Sequence, residues 1–320
     1  MSAIQAQSQS QLRTVLPWPK MIDAWLTYQA EDRQAAKNTV HAYRVNIGYF
    51  KDWLDGEGLA FTHITSIDLK AYRAATRAAY SIQTTNLRLA AVRRFYAWCK
   101  LETFSGYDPA AGVENVKRKR SRNHKRDALT PAEVAAVLAA PDPDTEIGRR
   151  DLAMLTVMAY CAVRGIGLRR MKIKDVRTRG SRMTIDLISK GETEKGGEYA
   201  IIPTDQEHVI RDLLADRAEQ GAAPDDPLFC SLSRRSYGGP LCASALRRIA
   251  KGYFRRCGIL EPAKTTHSLR VSAITSAINA GAEPIHVQEM AGHASIETTL
   301  GYYRENERIT NPVEDMIVYP

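Results

Sequence analysis

Residues 117 to 126 run Lys-Arg-Lys-Arg-Ser-Arg-Asn-His-Lys-Arg, seven basic side chains and no acid in ten positions. Charges of one sign at this density repel one another and bury no apolar surface, so no single core runs through them. A chain of 320 residues also exceeds what one ordinary core holds. The tract therefore predicts a boundary. The expected organisation is a disordered tail at 1–16, a helical domain at 17–116, a basic linker at 117–127, a mixed domain at 128–311 and a C-terminal tail at 312–320.

Apolar spacing differs on the two sides of that boundary. Residues 1–16 are rich in Gln and Ser and predict disorder. Met21, Ile22, Trp25 and Leu26 then begin an amphipathic helix, and Val40, Tyr43, Ile47, Phe50 and Leu54 mark a second at three- and four-residue spacing, ended by Gly56 and Gly58. A third starts at Ser66, with Asp68 in its first turn, and a fourth runs from about Thr84 through Leu89, Val92, Tyr96 and Cys99. No strand signal interrupts these four helices.

Beyond the linker, Thr130-Pro-Ala-Glu133 is a capping box with proline at the first helical position. Asp151 to Tyr160 predicts an apolar helix that delivers Arg164 at its end. Met183 to Ser189 and Glu198 to Ile202 have strand composition and flank Gly191, Gly196 and Gly197, which predicts a β-hairpin. A helix from about Leu241 to Cys257 carries Arg247, Arg248, Lys251, Arg255 and Arg256. The fold class expected is mainly α: a four-helix N-terminal domain, and a mostly helical second domain with a small β-hairpin or sheet.

Composition narrows the partners. The net charge is +9, but the basic tract alone holds seven of those charges, so the surplus is local. Such a tract is either a solvated linker or a segment that crosses a nucleic-acid backbone, where Lys117, Arg118, Lys119 and Arg120 would gain affinity by releasing counterions. The five cysteines form no close pairs, which predicts neither disulfides nor a zinc site. Asp142-Pro-Asp144-Thr-Glu146 lacks the glycine a calcium loop needs. No stretch reaches ~18 apolar residues, and the polar start lacks the regions of a secretory signal, so a soluble, cytoplasmic protein with no membrane partner is expected.

The chemistry concentrates in Arg164, His267-Ser-Leu-Arg270, Gly292-His293 and Tyr302. Singly, each fragment is weak: His-x-x-Arg occurs by chance in many helices, and a tyrosine at helical spacing is more often core than nucleophile. Together they are what a tyrosine needs to attack a DNA phosphate. A phenol, with a pKa of ~10, attacks phosphorus only where fixed cations stabilise the charge growing on the non-bridging oxygens. Arginine suits that role because its planar fork pairs with phosphate oxygens and keeps its proton.

Their order and spacing resemble the tyrosine recombinases, or phage-integrase-type recombinases, over nearly the whole chain from residue 20, most specifically between 150 and 304. Within that family the pattern is similar to the Cre-like and Xer-like simple recombinases. The stretches from Arg169 to Val176, from Arg182 to Lys190 and from Pro227 to Cys230 resemble the Cre-like group in particular.

The resemblance implies that Arg164 and Arg270 clamp the scissile phosphate, that His267 and His293 hydrogen-bond it or shuttle protons, and that Tyr302 is the nucleophile. Lys190 would be the general acid for the leaving 5′-oxygen, with Lys195 the alternative if the hairpin is of the shorter Xer-like kind. Tyr303 is a second candidate nucleophile, disfavoured by its spacing from His293. The resemblance further implies cleavage and rejoining of duplex DNA through a 3′-phosphotyrosine, with no metal or nucleotide cofactor. Implied partners are a recombination site with inverted half-sites and a homotetramer on DNA, monomeric when free. The tail from Pro312 would dock on a neighbouring protomer, the alternative being that it folds back onto its own catalytic domain.

For DNA contact the family uses the first domain, which nominates Lys37, Arg44, Arg88, Arg93 and Arg94, and the late basic helix, which nominates Ser244 and Arg247. One departure is Gly167, where the family usually has an acid three residues after the first arginine. Two rivals stay open: a type IB topoisomerase, and a DNA-binding protein of the same fold that has lost catalysis.

Overall fold

The computed structural model describes residues 18–102, 108–117, 128–188 and 197–302, and the chain separates into two compact units at residue 121. The first unit holds helices α1 (Trp18–Glu31), α2 (Lys37–Gly56), α3 (Ser66–Ala79) and α4 (Ile82–Glu102). Helix α3 begins one residue after Thr65, whose hydroxyl accepts from the N–H groups of Ile67 and Asp68 while Asp68 accepts from the N–H of Thr65. That reciprocal cap satisfies donors the helix itself cannot.

Helix α4 packs against each of the other three. It therefore buries residues around most of its circumference, among them Leu89, Val92, Phe95, Tyr96 and Trp98. The core of this unit is aromatic. Phe50 makes ring contacts with Trp18, Trp53, Tyr72 and Tyr96, mostly edge to face, the arrangement the ring quadrupoles favour.

The second unit holds α5 (Pro131–Ala139), α6 (Glu146–Tyr160), α7 (Gly165–Arg170), α8 (Glu207–Glu219), α9 (Ala243–Arg256), α10 (Thr266–Asn279) and α11 (Pro284–Ala291). Its antiparallel sheet has strands β1 (Val176–Arg179), β2 (Arg182–Asp186) and β3 (Tyr199–Ile201) in that spatial order. The capping box at Thr130 and Glu133 starts α5 as the sequence predicts. Helix α6 is the centre of the core, with Ala153, Met154, Leu155 and Val157 fully buried, and it packs on α5, α8 and α10. Tyr253 of α9 donates to the buried carboxylate of Asp151 at 3.0 Å, so α9 too is tied to α6.

The hairpin of β2 and β3 pairs Ile185 with Ala200 and Asp186 with Tyr199. Strand β1 was not legible in the sequence. Val176 to Arg179 offers one apolar side chain, yet it pairs with β2 through a two-residue turn whose first residue, Gly180, has φ of 59°, the conformation such a turn reserves for glycine. Among the described residues no helix is long and apolar enough to cross a membrane, and all five cysteines are free thiols.

Candidate active site

Four segments of the second unit converge on one pocket. Helix α6 ends at Tyr160, and two residues on Ala162 takes φ of 51°, in the left-handed region that residues with a side chain seldom adopt. The turn places Arg164 at the N-terminus of α7, where its Nη2 donates to the carbonyl of Gly292 at 2.8 Å.

Helix α10 is capped by Thr265, which accepts from the N–H of His267. His267 and Arg270 lie three residues apart and so share one face. Arg270 is 3% exposed. Its Nη1 donates to the carbonyl of Ala162 and its Nη2 to that of Ala291, the latter at 2.6 Å. One guanidinium thus holds the α6–α7 turn against the end of α11.

Gly292 ends α11 in the left-handed conformation, at φ of 55°. A Cβ there would stand 3.4 Å from both Arg164 Nη1 and Glu198 Oε2, an ordinary contact with two side-chain ends, so it is the backbone angle that calls for glycine. His293 follows, 8% exposed, with its Nδ1 2.9 Å from the hydroxyl of Thr299. The chain is helical again from 296 to 302 and brings the ring of Tyr302 nearly parallel to that of His293, at 10° and 6.1 Å between centroids. The phenol ring also packs on an apolar cluster of Ala162, Ala273, Ile274, Ile278, Val287 and Ala291.

Burial governs the electrostatics. Desolvation, then the neighbouring charge of Arg164, pulls Arg270 down to about 10, while Tyr302 and Glu198 oppose the fall. Desolvation also pulls His293 down to about 4, helped by Arg270, Arg164 and His267, so its imidazole is neutral at neutral pH. Burial raises the Tyr302 phenol, and the two arginines offset part of that rise. The arrangement is two fixed cations beside a protonated phenol and a neutral imidazole. Such a pocket suits an anion whose charge grows during reaction.

Gly167 lies on the same pocket wall as Arg164 and Arg270, and the carboxylate of Glu198, just before β3, lines it too. Glu198 was not singled out for this role in the sequence, because only the pairing of β2 with β3 brings it there. The backbone carbonyl of Glu198 accepts from Leu187 at 2.9 Å, which fixes its place at the pocket edge. Lys190, Lys195 and Tyr303 lie outside the described residues.

The residues nominated for DNA contact divide. Lys37, Arg44, Arg94, Lys117, Ser244 and Arg247 are exposed, Arg44 being paired with Asp23 at 3.0 Å. Arg118, Lys119 and Arg120 lie outside the described residues. The expectation for Arg88 is corrected: it is 6% exposed, its guanidinium held between the rings of Tyr49 and Tyr80 at 3.8 and 3.9 Å. Arg93 is also engaged internally, donating to the carbonyl of Val113 at 3.0 Å and to the Asn115 side chain. With Asn86, which exchanges hydrogen bonds with the backbone of Val116, it straps residues 113–116 to α4.

Arg88→Ala should therefore act on stability. Losing two cation–π contacts of ~0.5–2 kcal/mol each, together with the packing of the stem, should lower the melting temperature by several degrees. Arg94→Ala, removing an exposed guanidinium set more loosely over the Tyr43 ring at 5.7 Å, should lower it much less. Thermal denaturation of the two variants checks this, and an Arg88→Ala protein that melts like wild type would contradict the sandwiched role.

A family model described as "Phage integrase family" matches residues 127–308, and one described as "Phage integrase, N-terminal SAM-like domain" matches residues 22–103. Tyrosine recombinase XerD of Xanthomonas axonopodis pv. citri (strain 306) is 31% identical over 293 residues, covering 88% of this chain and 92% of that protein. Tyrosine recombinase XerD of Ralstonia nicotianae is 31% identical over 271 residues, covering 83% of each. Among solved structures, the XerH site-specific recombinase bound to palindromic difH substrate superposes with a TM-score of 0.73 at 18% identity, over 89% of this chain and 81% of that one. A lambda integrase dimer bound to a COC′ core site gives 0.64 at 16%, over 88% and 96%. These two likenesses show the mostly helical fold, and the sequence matches show the family. The chain belongs to the phage integrase family of tyrosine recombinases.

Proposed function

We propose that this protein recombines duplex DNA at a specific site through a covalent 3′-phosphotyrosine at Tyr302. The Tyr302 oxygen bonds to phosphorus as the bond to the 5′-oxygen breaks; the phenol gives up its proton and the leaving oxygen gains one. The freed 5′-hydroxyl then attacks a partner strand's phosphotyrosine, so the energy of the broken bond is kept and neither ATP nor metal is required. Arg164 and Arg270 stabilise the charge on the phosphate. The observation that carries this reading is that Arg164, Arg270, His293 and Tyr302, from four separate segments, come close enough for the two arginine charges to act on the stacked imidazole and phenol.

Around that chemistry, the helical unit and α9 grip the half-site through Lys37, Arg44, Arg94, Ser244 and Arg247, and the 117–127 linker crosses the backbone. The active assembly is a homotetramer pairing two sites with inverted half-sites. It acts in the cytoplasm, associated with the nucleoid while bound to DNA. The 312–320 tail, outside the described residues, passes to a neighbouring protomer.

The target duplex is obtained by selecting a random duplex library on the protein and cloning it once or twice into a supercoiled plasmid. The two-site plasmid should give deletion or inversion products, and the one-site plasmid should stay supercoiled. Complete relaxation of the one-site plasmid would point to topoisomerase action, and two unchanged plasmids to a protein that only binds.

The same substrate assigns the general acid. Lys190→Ala should slow cleavage of an ordinary phosphate, and a 5′-bridging phosphorothiolate should restore it, because a sulfur leaving group needs little protonation. Rescue of Lys195→Ala alone would move the role to Lys195.

A further inference from the structure

The hydroxyl of Thr299 meets His293 Nδ1 at 2.9 Å, and both partners are enclosed, Thr299 at 0% and His293 at 8% exposure. Buried polar atoms of this kind keep a hydrogen-bond partner because leaving one unpaired is costly. We propose that Thr299 is a positioning residue that holds His293 in the tautomer with its hydrogen on Nδ1, leaving the lone pair of Nε2 for the reacting pocket. The inference rests on the reading of His293 as part of the reacting site.

A neutral imidazole carries one ring hydrogen, and which nitrogen bears it follows from its surroundings. His293 is neutral above about 4, and the charges that hold it so, after desolvation, are Arg270 and Arg164. Cations in a desolvated pocket favour a lone pair directed to them and disfavour an N–H directed to them. With Nδ1 engaged by Thr299, the nitrogen left for the pocket is Nε2, so the hydrogen belongs on Nδ1 and Thr299 accepts it.

The arginines fix the backbone ahead of the histidine, through the carbonyls of Ala291 and Gly292. They do not set the rotation of its ring. Thr299 does, from the helical segment that also carries Tyr302 three residues on, and residues three apart share a helix face. The imidazole and the phenol are thereby referenced to one helix, consistent with their 10° interplanar angle.

Nitrogen-15 NMR of the histidine rings in the DNA-free protein, assigned with His293→Gln, tests this without any recombination reaction. Wild-type His293 should show a protonated Nδ1 and an unprotonated Nε2 from about pH 5 to 8. Thr299→Val keeps the shape and removes the hydroxyl; it should mix the tautomers and lower single-turnover cleavage about tenfold, the scale of one hydrogen bond. Its melting temperature checks that the fold survives. Thr299→Ser should restore both the spectrum and the rate. A wild-type Nδ1 without its hydrogen, or a Thr299→Val protein with an unchanged ring spectrum, would overturn the inference while leaving the proposed reaction standing. Absence of cleavage by wild type with the expected spectrum would instead fault the reaction.

Discussion

Tyr302→Phe protein is expected to bind its half-site with wild-type affinity and to form no detectable covalent complex with DNA. Only one oxygen is removed, from a ring whose packing on Ala162, Ala273, Ile274 and Val287 is unaltered, so neither the fold nor the DNA-facing surface has reason to change. In the proposed reaction that oxygen is the nucleophile, and no field from the arginines substitutes for it. A nicked substrate that traps the cleaved strand, run on a denaturing gel, reads the adduct directly. If Tyr303→Phe abolished the adduct and Tyr302→Phe did not, the assignment from spacing would fail.

Arg270→Ala should cost both chemistry and stability, and the two losses should separate it from Arg164→Ala. Loss of one preorganised donor at a developing oxyanion lowers the rate by ~10²–10³, and that fall is expected of either variant in single-turnover cleavage. Arg270 also supplies hydrogen bonds to the carbonyls of Ala162 and Ala291 from a position 3% exposed. Removing it strands two buried acceptors at ~1–3 kcal/mol each, in a turn that already holds Ala162 at φ of 51°. Arg164 is half-buried and donates to Gly292, so its removal should leave the melting temperature closer to wild type. An Arg270→Ala protein that cleaves within tenfold of wild type would contradict the two-arginine pocket.

Much of this was legible in the sequence where the cause is local. The Thr130 and Glu133 cap is a four-residue event, and the apolar spacing of α1 to α4 reflects one helix period. Arg164, His267, Arg270, His293 and Tyr302 were nominated together because their types and order are those of one chemistry. What stayed hidden depends on approach between distant segments. Arg88 has the look of a solvent-facing cation along α4, yet Tyr49 of α2 and Tyr80 after α3 close over it. Strand β1 forms through pairing with β2 rather than through any apolar face of its own. Glu198 and Thr299 are unremarkable in the chain and acquire meaning only beside Arg164, Gly292 and His293.

The central claim is that Tyr302 is the atom-bearing partner in a covalent, metal-independent cut. Cleavage of the selected duplex in excess chelator, followed by digestion and mass spectrometry of the DNA-linked peptide, tests it in one step. The account predicts an undiminished yield of adduct with the nucleotide on Tyr302. An adduct on Tyr303 or any other residue, or cleavage that stops when divalent metal is removed, would contradict it.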